Sequence, residues 1–383
     1  MGRLIQVKKD GVIVEAYTYD KNGNRASATI NNETTNGYYT LDDQIVTYGN
    51  NTYQYNDDGY LQSKVTPNGT TTYQYGVFGE LQKVVTPTKT IEYLHNANNQ
   101  RVAKKLNGEI VEKYLWANLT TLLAIYDKDD NLVQRFEYAD SRMPLSMTQN
   151  NQKYYLHYDQ VGSLRAVSDT AGAIIKEVSY DTFGNILTDS NEAFKVPFGF
   201  AGGLYDNDSG LVRFGYRDYD PYTSKWTAKD PIGFDGGDSN LYGYVLGDPV
   251  KFFDANGLDR QQDVINVAKT LLTNPTVSNQ YIERVQSLLD NNKLLYVDRA
   301  MRRTKTGLEN VFGTAHIATG QVRITSRCWT EHANKPYVIN PQIRKTLLHE
   351  IKHLILGQRS LRHFGDRPRF DEEFKNVDLF YGD

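Results

Sequence analysis

Short stretches of alternating apolar and polar residues run through the first two thirds of the chain. The segments TTYQY at 71–75 and FEY at 136–138 place aromatic side chains at every second position, which predicts half-buried β-strands. Asn, Asp and Gly occupy the short segments between such stretches, and glycine supplies the positive φ that tight hairpin turns need. We therefore predict an all-β array of hairpins over this part of the chain.

A short motif recurs within this array, in which a tyrosine is followed four residues later by a glycine. The copies are Tyr19 to Gly23, Tyr55 to Gly59, Tyr75 to Gly79, Tyr158 to Gly162 and Tyr180 to Gly184. Repeat proteins use their motif residues chiefly for packing between neighbouring units. We expect these tyrosines to build the wall of a repeat sheet rather than to catalyse a reaction.

The pattern changes near residue 258. The segments 260–274 and 278–291 place apolar residues at helical spacing, and each ends in asparagine. KLLYV at 293–297 and AHIATGQVRIT at 315–325 then predict strands, the last two joined by a Thr-Gly turn. Residues 259–383 are therefore predicted to form a small, separate α+β domain, and the protein is multidomain.

Charge and cysteine content support this division. The chain of 383 residues has a net charge of −3, of which residues 259–383 carry +5 and residues 1–258 carry −8. The single cysteine, Cys328, excludes an internal disulfide framework and a four-cysteine zinc site. No run of 18 apolar residues and no apolar N-terminal segment occur, so we expect neither a membrane span nor a classical signal peptide.

One helix in the second domain carries a candidate metal motif. Asn340 as N-cap, Pro341 in the first turn and Gly357 after the last turn predict a helix over 341–356. His349 and His353 lie one turn apart on one face, so both imidazoles can bind a single Zn²⁺ ion.

The remaining parts of a peptidase site are less defined. Glu350, beside the first histidine, is placed to bind the zinc-bound water and act as general base in amide hydrolysis. Two acceptable zinc ligands of the carboxylate type, Glu372 and Glu373, follow in RFDEEFKNV, and His363 lies ten residues after His353. The residue pattern alone leaves the third ligand open.

The quoted repeats, with YTYDKNGNR at 17–25 and the motifs YRDYDP, KDPIG and DANGL within 203–258, resemble the YD-repeat or Rhs proteins. The resemblance covers roughly residues 15–258. It implies a β-sheet that spirals into a hollow shell, a C-terminal core, and a variable toxin domain after the core. A shell of this family over residues 1–258 and a toxin domain over 259–383 are the corresponding expectations.

The same resemblance implies self-cleavage at the end of the core. Family members have DPxGL there and cut after its leucine in an aspartyl-protease-like reaction; this chain has DANGL, so the expected cut lies between Leu258 and Asp259. The motif matches assign the two carboxylates to Asp218 and Asp230, with Arg217 as their charge partner. Such chemistry needs one ionised and one protonated carboxyl group. Asp-Pro pairs also begin turns, so a structural role for these aspartates is the alternative.

The end of the chain, DLFYG at 378–382, resembles the aspzincin signature GTxDxxYG, although Asn376 and Val377 replace its Gly-Thr. The resemblance implies that Asp378 is the third zinc ligand and that Tyr381 stabilises the tetrahedral oxyanion. A zincin-like metallopeptidase is therefore the expected cargo of the shell.

We expect a toxin of the YD-repeat class that is secreted without a classical signal peptide and delivered into a target cell. Its expected partners are a cognate immunity protein, a secretion apparatus or carrier protein, and a protein substrate in the target cell, with no nucleic acid. Two other classes remain open. The basic domain suits a nuclease in which the histidine motif is incidental, and the whole chain suits a non-enzymatic surface or adhesion protein.

Overall fold

The computed structural model describes residues 3–139, 142–236 and 238–258, and one helix and five strands between residues 279 and 325. Contacts divide the chain into two compact units, Met1–Asp259 and Arg260–Asp383. Each unit is described by itself below.

The first unit is built on a sheet of nineteen strands. They are β1 (Gln6–Lys9), β2 (Val12–Tyr19), β3 (Arg25–Ile30), β4 (Glu33–Tyr39), β5 (Ile45–Tyr48), β6 (Asn51–Tyr55), β7 (Leu61–Thr66), β8 (Gly69–Tyr75), β9 (Leu81–Val85), β10 (Thr90–His95), β11 (Arg101–Leu106), β12 (Glu109–Trp116), β13 (Leu122–Tyr126), β14 (Leu132–Glu137), β15 (Ser146–Gln149), β16 (Gln152–Tyr158), β17 (Leu164–Asp169), β18 (Ile174–Tyr180) and β19 (Ile186–Asp189).

Each of these strands pairs antiparallel with the next strand in the sequence, so the sheet is one continuous meander. Burial alternates along the strands; in β10, for example, Ile91 and Tyr93 are buried while Leu94 is exposed. This alternation places one row of side chains on the packed face of the sheet. The predicted all-β hairpin array is confirmed.

Two kinds of turn join the strands. At one end, two-residue turns such as Asn31-Asn32 and Asn150-Asn151 have positive φ at both central residues. Type I′ turns require this conformation, and asparagine adopts it more readily than most residues. The type I′ turns thus explain why asparagine is frequent in the first unit.

At the other end, a longer turn follows the repeat tyrosine and is called the repeat turn here. In its first copy, Asp20 Oδ1 accepts the N–H groups of Asn22 (2.9 Å) and Asn24 (2.8 Å). Gly23 takes a φ of +86°, which glycine adopts at no steric cost. A shift of strand register falls just before Tyr19, so the tyrosine of the motif marks a β-bulge.

The residues after β19 form a compact core segment, residues 194–258, that packs against the sheet. It contains the short strands β20 (Leu204–Tyr205), β21 (Val212–Phe214), β22 (Arg217–Asp220) and β23 (Lys225–Trp226), which form a second, four-stranded sheet. Phe214, Tyr219 and Trp226 are fully buried at its centre, with ring centroids 5.7–6.3 Å apart.

Strands far apart in the meander contact this core segment. Tyr48 of β5 packs edge-on against Tyr222, with ring centroids 5.1 Å apart, and Phe136 of β14 packs against Phe198 at the same distance. Edge-to-face ring pairs add to the stabilisation that burial of the rings provides. The core segment therefore ties the two halves of the sheet together.

The described part of the second unit contains one helix and five strands. These are α1 (Asn279–Asp290), β24 (Leu294–Val297), β25 (Ala300–Thr304), β26 (Gly307–Val311), β27 (Gly313–His316) and β28 (Gln321–Thr325). Strand β28 pairs parallel with β24 and antiparallel with β27, and β25 pairs antiparallel with β26.

This pattern confirms the helix predicted within 278–291 and the strands predicted within 293–297 and 315–325. Val285 and Leu288, three residues apart on the helix, are buried, as the helical spacing requires. The hairpin of β25 and β26 was not predicted. The helices predicted over 260–274 and 341–356 lie outside the described residues.

Candidate functional site

The candidate site is built on strand β22, whose four residues are all buried. Successive side chains of a strand point to opposite faces. Arg217 and Asp218 therefore enter two different environments, although they are adjacent in sequence. The two side chains therefore have different interaction partners.

Arg217 is 2% exposed and lies at the centre of a polar cluster. Its Nη2 atom is 3.0 Å from Asp230 Oδ2 and 3.3 Å from Asp254 Oδ2. Its Nε atom donates a hydrogen bond to the carbonyl oxygen of Gly257 at 2.6 Å, and its guanidinium carbon lies 4.2 Å from the ring centroid of Trp226. One guanidinium thus joins two carboxylates to the backbone just before Leu258.

Asp254 holds the end of the core segment in a tight turn. Its Oδ1 atom accepts the N–H groups of Gly257 (2.8 Å) and Leu258 (3.1 Å). Gly257 has a φ of +73°, a conformation that costs glycine nothing. Leu258 is 8% exposed, so the residue before the predicted cut is anchored inside the first unit.

The turn also lies directly against the loop before β22. The amide of Tyr216 donates to the carbonyl oxygen of Asn256 at 2.9 Å. A Cβ atom on Gly215 would lie 2.4 Å from that same oxygen, so only glycine allows this approach. Close packing fixes the turn relative to Arg217.

Asp218 lies on the other face of β22. Its carboxylate binds two buried arginines, with Oδ1 3.0 Å from Arg101 Nη2 and Oδ2 2.7 Å from Arg213 Nη1. The strand alternation directs this side chain away from the face that carries Arg217. Of the residues predicted from the sequence, the structure brings Arg217 and Asp230 to the segment that ends at Leu258, and it gives Asp218 different partners.

Asp254 is the functional candidate that the sequence reading did not assign. The signal was present in DANGL, because an aspartate three residues before glycine commonly caps a turn with its carboxylate. The second contact of Asp254, with Arg217, is made across 37 residues of sequence and has no local signature.

The arrangement is suited to hydrolysis of a nearby peptide bond. Two carboxylates, those of Asp230 and Asp254, lie within 3.3 Å of one guanidinium nitrogen in this buried cluster. A pair of carboxyl groups of this kind can act as base toward water and as acid toward a carbonyl oxygen. Asp259, on the far side of the predicted cut, lies outside the described residues.

The predicted zinc-site residues also lie outside the described residues. These are His349, Glu350, His353, Asp378 and Tyr381, together with the alternative ligands Glu372 and Glu373. In the part of the chain that the structure describes, no group of three or more His, Cys, Asp or Glu residues could hold a metal ion. No helix in that same part is long and apolar enough to cross a membrane.

The model of the Teneurin YD-shell family matches residues 1–245. Among similar curated proteins, the tRNA3(Ser)-specific nuclease WapA of Bacillus spizizenii is 29% identical over 271 residues, and the tRNA nuclease WapA of Bacillus subtilis is 30% identical over the same length. Each alignment covers 67% of this chain and 11% of the relative. Teneurin-3 of Mus musculus is 29% identical over 65% of this chain and 10% of its own length.

Solved structures with a similar chain include two with Tc toxin components in their names. The Photorhabdus luminescens Tc holotoxin pore is 17% identical over 65% of this chain and 17% of that chain, with a TM-score of 0.39. A TcdB2-TccC3 crystal structure is 21% identical over 63% of this chain and 13% of that chain, with a TM-score of 0.40. The chain spans about a tenth of the length of the curated relatives above.

Proposed function

The chain belongs to the Teneurin YD-shell family, and from this premise we propose that it is a toxin whose shell cuts its own chain after Leu258. The cut releases residues 259–383, which act as a zinc-dependent endopeptidase on a protein of the target cell. The observation that carries the first half of this proposal is the contact of Arg217 with Asp230, Asp254 and the Gly257 carbonyl.

The proposed cut is an ordinary hydrolysis of the Leu258–Asp259 peptide bond. One carboxylate takes a proton from water while the water oxygen forms a bond to the carbonyl carbon of Leu258. A second carboxyl group gives its proton to the carbonyl oxygen. The bond from that carbon to the nitrogen of Asp259 then breaks, and the nitrogen leaves as an amine after taking up a proton.

Two carboxyl pairs are compatible with this reaction, and each predicts a different result. The family motif assigns Asp218 and Asp230. The contacts of Arg217 favour Asp230 and Asp254, because these two carboxylates share that guanidinium next to Gly257. Asp230 belongs to both pairs and is the first residue to test.

We expect the full chain, when freshly expressed, to yield two products with the masses of residues 1–258 and 259–383. Asp230→Asn should leave the chain intact, since the amide neither accepts nor donates the required proton. Intact-mass spectrometry measures the products. Asp130→Asn, which alters an exposed ion pair with Lys113, is the matched control and should cut normally.

The carboxyl group that works with Asp230 is identified by the same mass measurement on Asp218→Asn and Asp254→Asn. Circular dichroism checks that each variant is folded. Loss of cutting in folded Asp254→Asn alone supports the pair seen on Arg217, and loss in folded Asp218→Asn alone supports the motif pair. An intact wild-type chain, or normal cutting by Asp230→Asn, contradicts the proposal.

The proposed peptidase site consists of His349, His353 and Asp378 as ligands, with Glu350 as general base and Tyr381 as donor to the oxyanion. A zinc ion bound there polarises the scissile carbonyl and lowers the pKa of its bound water. The support is the sequence motif and its resemblance to the aspzincins. Glu372 and Glu373 are the alternative third ligands.

We expect the purified protein to contain one zinc ion per copy of residues 259–383, whether or not the chain has been cut after Leu258. His353→Ala should lose it, because two remaining ligands bind zinc weakly, whereas Glu350→Ala should retain zinc and lose peptidase activity. Elemental analysis and digestion of an unstructured protein substrate measure the two properties. His332→Ala, a histidine outside the proposed ligand set, is the control; equal zinc content in His353→Ala and wild type contradicts the site.

A nuclease is the second candidate function. It is favoured by the names of the two Bacillus relatives, which are tRNA nucleases, and by the net charge of +5 in residues 259–383. Degradation of tRNA that persists in Glu350→Ala, without any peptidase activity in wild type, would select this function. In either case the producing cell needs a cognate immunity protein, and a carrier or secretion apparatus must deliver the toxin.

A further inference from the structure

A buried lysine lies against a side-chain amide where the first repeat turn meets the core segment. Lys225 on β23 is 4% exposed, and Asn24, the last residue of the first repeat turn, is fully buried. The Nζ atom of Lys225 is in hydrogen-bonding contact with Asn24 Oδ1 and lies 3.1 Å from Asn240 Oδ1. Both acceptors are uncharged amide oxygens, and a buried ammonium group is costly unless a carboxylate pairs with it. This environment favours the uncharged amine.

The side chain of Lys225 has the properties of a nucleophile. Burial lowers the pKa of its ammonium group from 10.5 to about 8. A much larger fraction of the amine is therefore uncharged near neutral pH than in an exposed lysine. Only the uncharged amine has a free electron pair with which to attack a carbonyl carbon. The ring of Tyr39, whose centroid lies 5.2 Å from Nζ, contributes apolar surface beside the amine.

The amide of Asn24 is held with its carbonyl oxygen toward the amine. Its Nδ2 atom donates to Asp43 Oδ1 at 2.7 Å and to Asp20 Oδ2 at 2.9 Å, which leaves Oδ1 facing Lys225. The Nδ2 atom of Asn240 donates to the same Asn24 Oδ1 at 2.6 Å. A donor at this place polarises the carbonyl group and stabilises negative charge that develops on its oxygen. The carbonyl carbon of Asn24 is thus prepared for attack.

Asp43 is suited to carry the proton that such an attack must transfer. It is 9% exposed, and of the carboxylates that act on Lys225 it has the strongest effect. It also accepts a hydrogen bond from the nitrogen that would leave Asn24. Asp20, the other acceptor of that nitrogen, is exposed and holds the repeat turn with its second oxygen. Asp43 is therefore the buried carboxylate that acts on both nitrogens.

The last repeat turn shows that this arrangement is particular to the first copy. Asn185 ends the last repeat turn as Asn24 ends the first. Its Nδ2 atom donates to Asp181 Oδ2 at 2.7 Å and to the carbonyl oxygen of Pro221 at 3.0 Å. Within the described part of the chain, no lysine amine contacts that amide. The fold of the repeat turn therefore does not require a lysine, and the contact of Asn24 with Lys225 has a separate purpose.

We propose that Lys225 and Asn24 become joined by an isopeptide bond, with Asp43 as the proton carrier. The Nζ atom of Lys225 forms a bond to Asn24 Cγ, and the electrons of the carbonyl double bond move onto Oδ1. Asp43 takes a proton from Nζ and gives it to Asn24 Nδ2. The bond from Cγ to Nδ2 then breaks as the carbonyl re-forms, and one ammonia molecule leaves. The resulting amide fastens the core segment to the first repeat turn across 201 residues of sequence.

Intact-mass spectrometry tests the proposal on the uncut chain or on the product of residues 1–258. We expect wild type to weigh less than its sequence by the mass of one ammonia molecule. Trypsin should then release residues 22–25 joined to residues 218–229, because a bonded Lys225 is no longer cleaved. An asparagine that cyclises onto its own backbone also loses ammonia, but it leaves these two peptides separate.

Three variants separate the roles of the residues, and circular dichroism checks that each is folded. Lys225→Met keeps the apolar stem and removes the nucleophile, so the full mass and separate peptides are expected. Asp43→Asn keeps an acceptor oxygen but cannot carry a proton, so the link should form roughly a hundredfold more slowly in a time course after cell-free synthesis. Asp42→Asn makes the same change at the exposed neighbouring residue and should link as wild type does.

The proposal is overturned if folded wild type keeps its full mass and gives no linked peptides after prolonged incubation at pH 8, near the pKa of Lys225. Equal rates of linking in Asp43→Asn and wild type contradict the role of Asp43. The bonded nitrogen is an amide and does not titrate. Any dependence of stability on the ionisation of Lys225 therefore belongs to protein in which the bond has not formed.

Discussion

At the residue scale, Gly215 controls how closely the turn before Leu258 approaches β22. Its φ of +41° is unfavourable for other residues, and an added Cβ would lie 2.4 Å from the Asn256 carbonyl oxygen. Backbone atoms cannot move away as a flexible side chain can. The position of the turn relative to Arg217 therefore depends on the absence of a Cβ atom at residue 215.

We predict that Gly215→Ala slows the formation of the 1–258 product and destabilises the first unit by roughly 2 kcal/mol or more, from backbone strain plus steric displacement. Gly210→Ala is the matched control. Gly210 also has a positive φ, +73°, but an added Cβ meets no atom within 4 Å.

Gly210→Ala should lower the free energy of unfolding by roughly 1 kcal/mol, from backbone strain alone, and should cut at the wild-type rate. Urea unfolding and a time course of product formation measure both properties. Equal cutting rates in the two alanine variants would show that the contact of Gly215 with Asn256 does not position the bond.

Some residues of this site could be predicted from the sequence and others could not. Arg217 and Asp230 were found through the family motifs, and the structure joins them in one ion pair. The partners of Asp218 are different: Arg101 lies 117 residues away along the chain, and no local pattern marks such a pair. Long-range ion pairs depend on how the core segment packs against the sheet, which the motif spacing does not contain.

At the element scale, the repeat turn explains why three of the five copies of the motif carry an aspartate directly after the tyrosine. In the last copy, Asp181 Oδ1 accepts the N–H groups of Phe183 (3.0 Å) and Asn185 (2.9 Å), and Asp181 Oδ2 accepts Asn185 Nδ2 at 2.7 Å. The turn thereby satisfies its own backbone donors. Glycine completes it with a φ of +96° at Gly184.

We predict that Asp181→Ala destabilises the first unit by roughly 3 kcal/mol, because it leaves buried N–H groups without an acceptor. Asp169→Ala is the matched comparison. Asp169 makes the same two backbone contacts, with the N–H groups of Ala171 and Ala173, at an exposed turn where water can replace the carboxylate.

The exposed variant should lose less than half as much stability, as measured by the urea midpoint. Equal losses in Asp181→Ala and Asp169→Ala would show that burial of the donors is not the cause.

The elements themselves were largely predictable, because strand alternation and turn residues are local signals. The sequence predicted hairpins with Asn, Asp and Gly in the turns, and the structure confirms them. It did not predict the bulge before each repeat tyrosine, as at Tyr55 and Tyr75. A bulge changes the register between two strands, so it depends on the residues of both strands and cannot be read from one of them alone.

At the scale of the whole molecule, the response of stability to pH should be governed by buried lysine and tyrosine side chains. Lys225 is buried, binds Asn24 and Asn240, and has its pKa lowered by burial from 10.5 to about 8. Burial raises the pKa of Tyr19 and of Tyr242 to about 12, and raises that of Tyr75 further.

The signs of these two effects are opposite. Between pH 8 and 10.5 the unfolded chain keeps the proton of Lys225 longer than the folded chain, so stability rises with pH, by up to about 3 kcal/mol from this residue. From about pH 9 upward the unfolded chain begins to lose protons from the many tyrosines whose pKa the fold raises, while the folded chain keeps them, so stability falls. We therefore predict a stability maximum close to pH 9.

Urea unfolding between pH 7 and 11 measures this profile in protein whose mass shows an unmodified Lys225. Lys225→Met should remove the rise between about pH 8 and pH 9 while leaving the fall at higher pH unchanged. A rise of equal size in Lys225→Met and wild type would assign the effect to another group.

Every strand of the meander pairs with its immediate neighbours in sequence. This local pairing affects how the number of hairpins can change during evolution. A gene for such a sheet can gain or lose a hairpin by in-frame duplication or deletion, and the remaining pairs keep their partners. Only hairpins fastened to the core segment resist such changes, as at Arg25, which donates to the Tyr222 carbonyl, and Gly59, which accepts from the Tyr242 hydroxyl. The number of repeats can thus change while the hairpins that carry these attachments keep their place in the sheet.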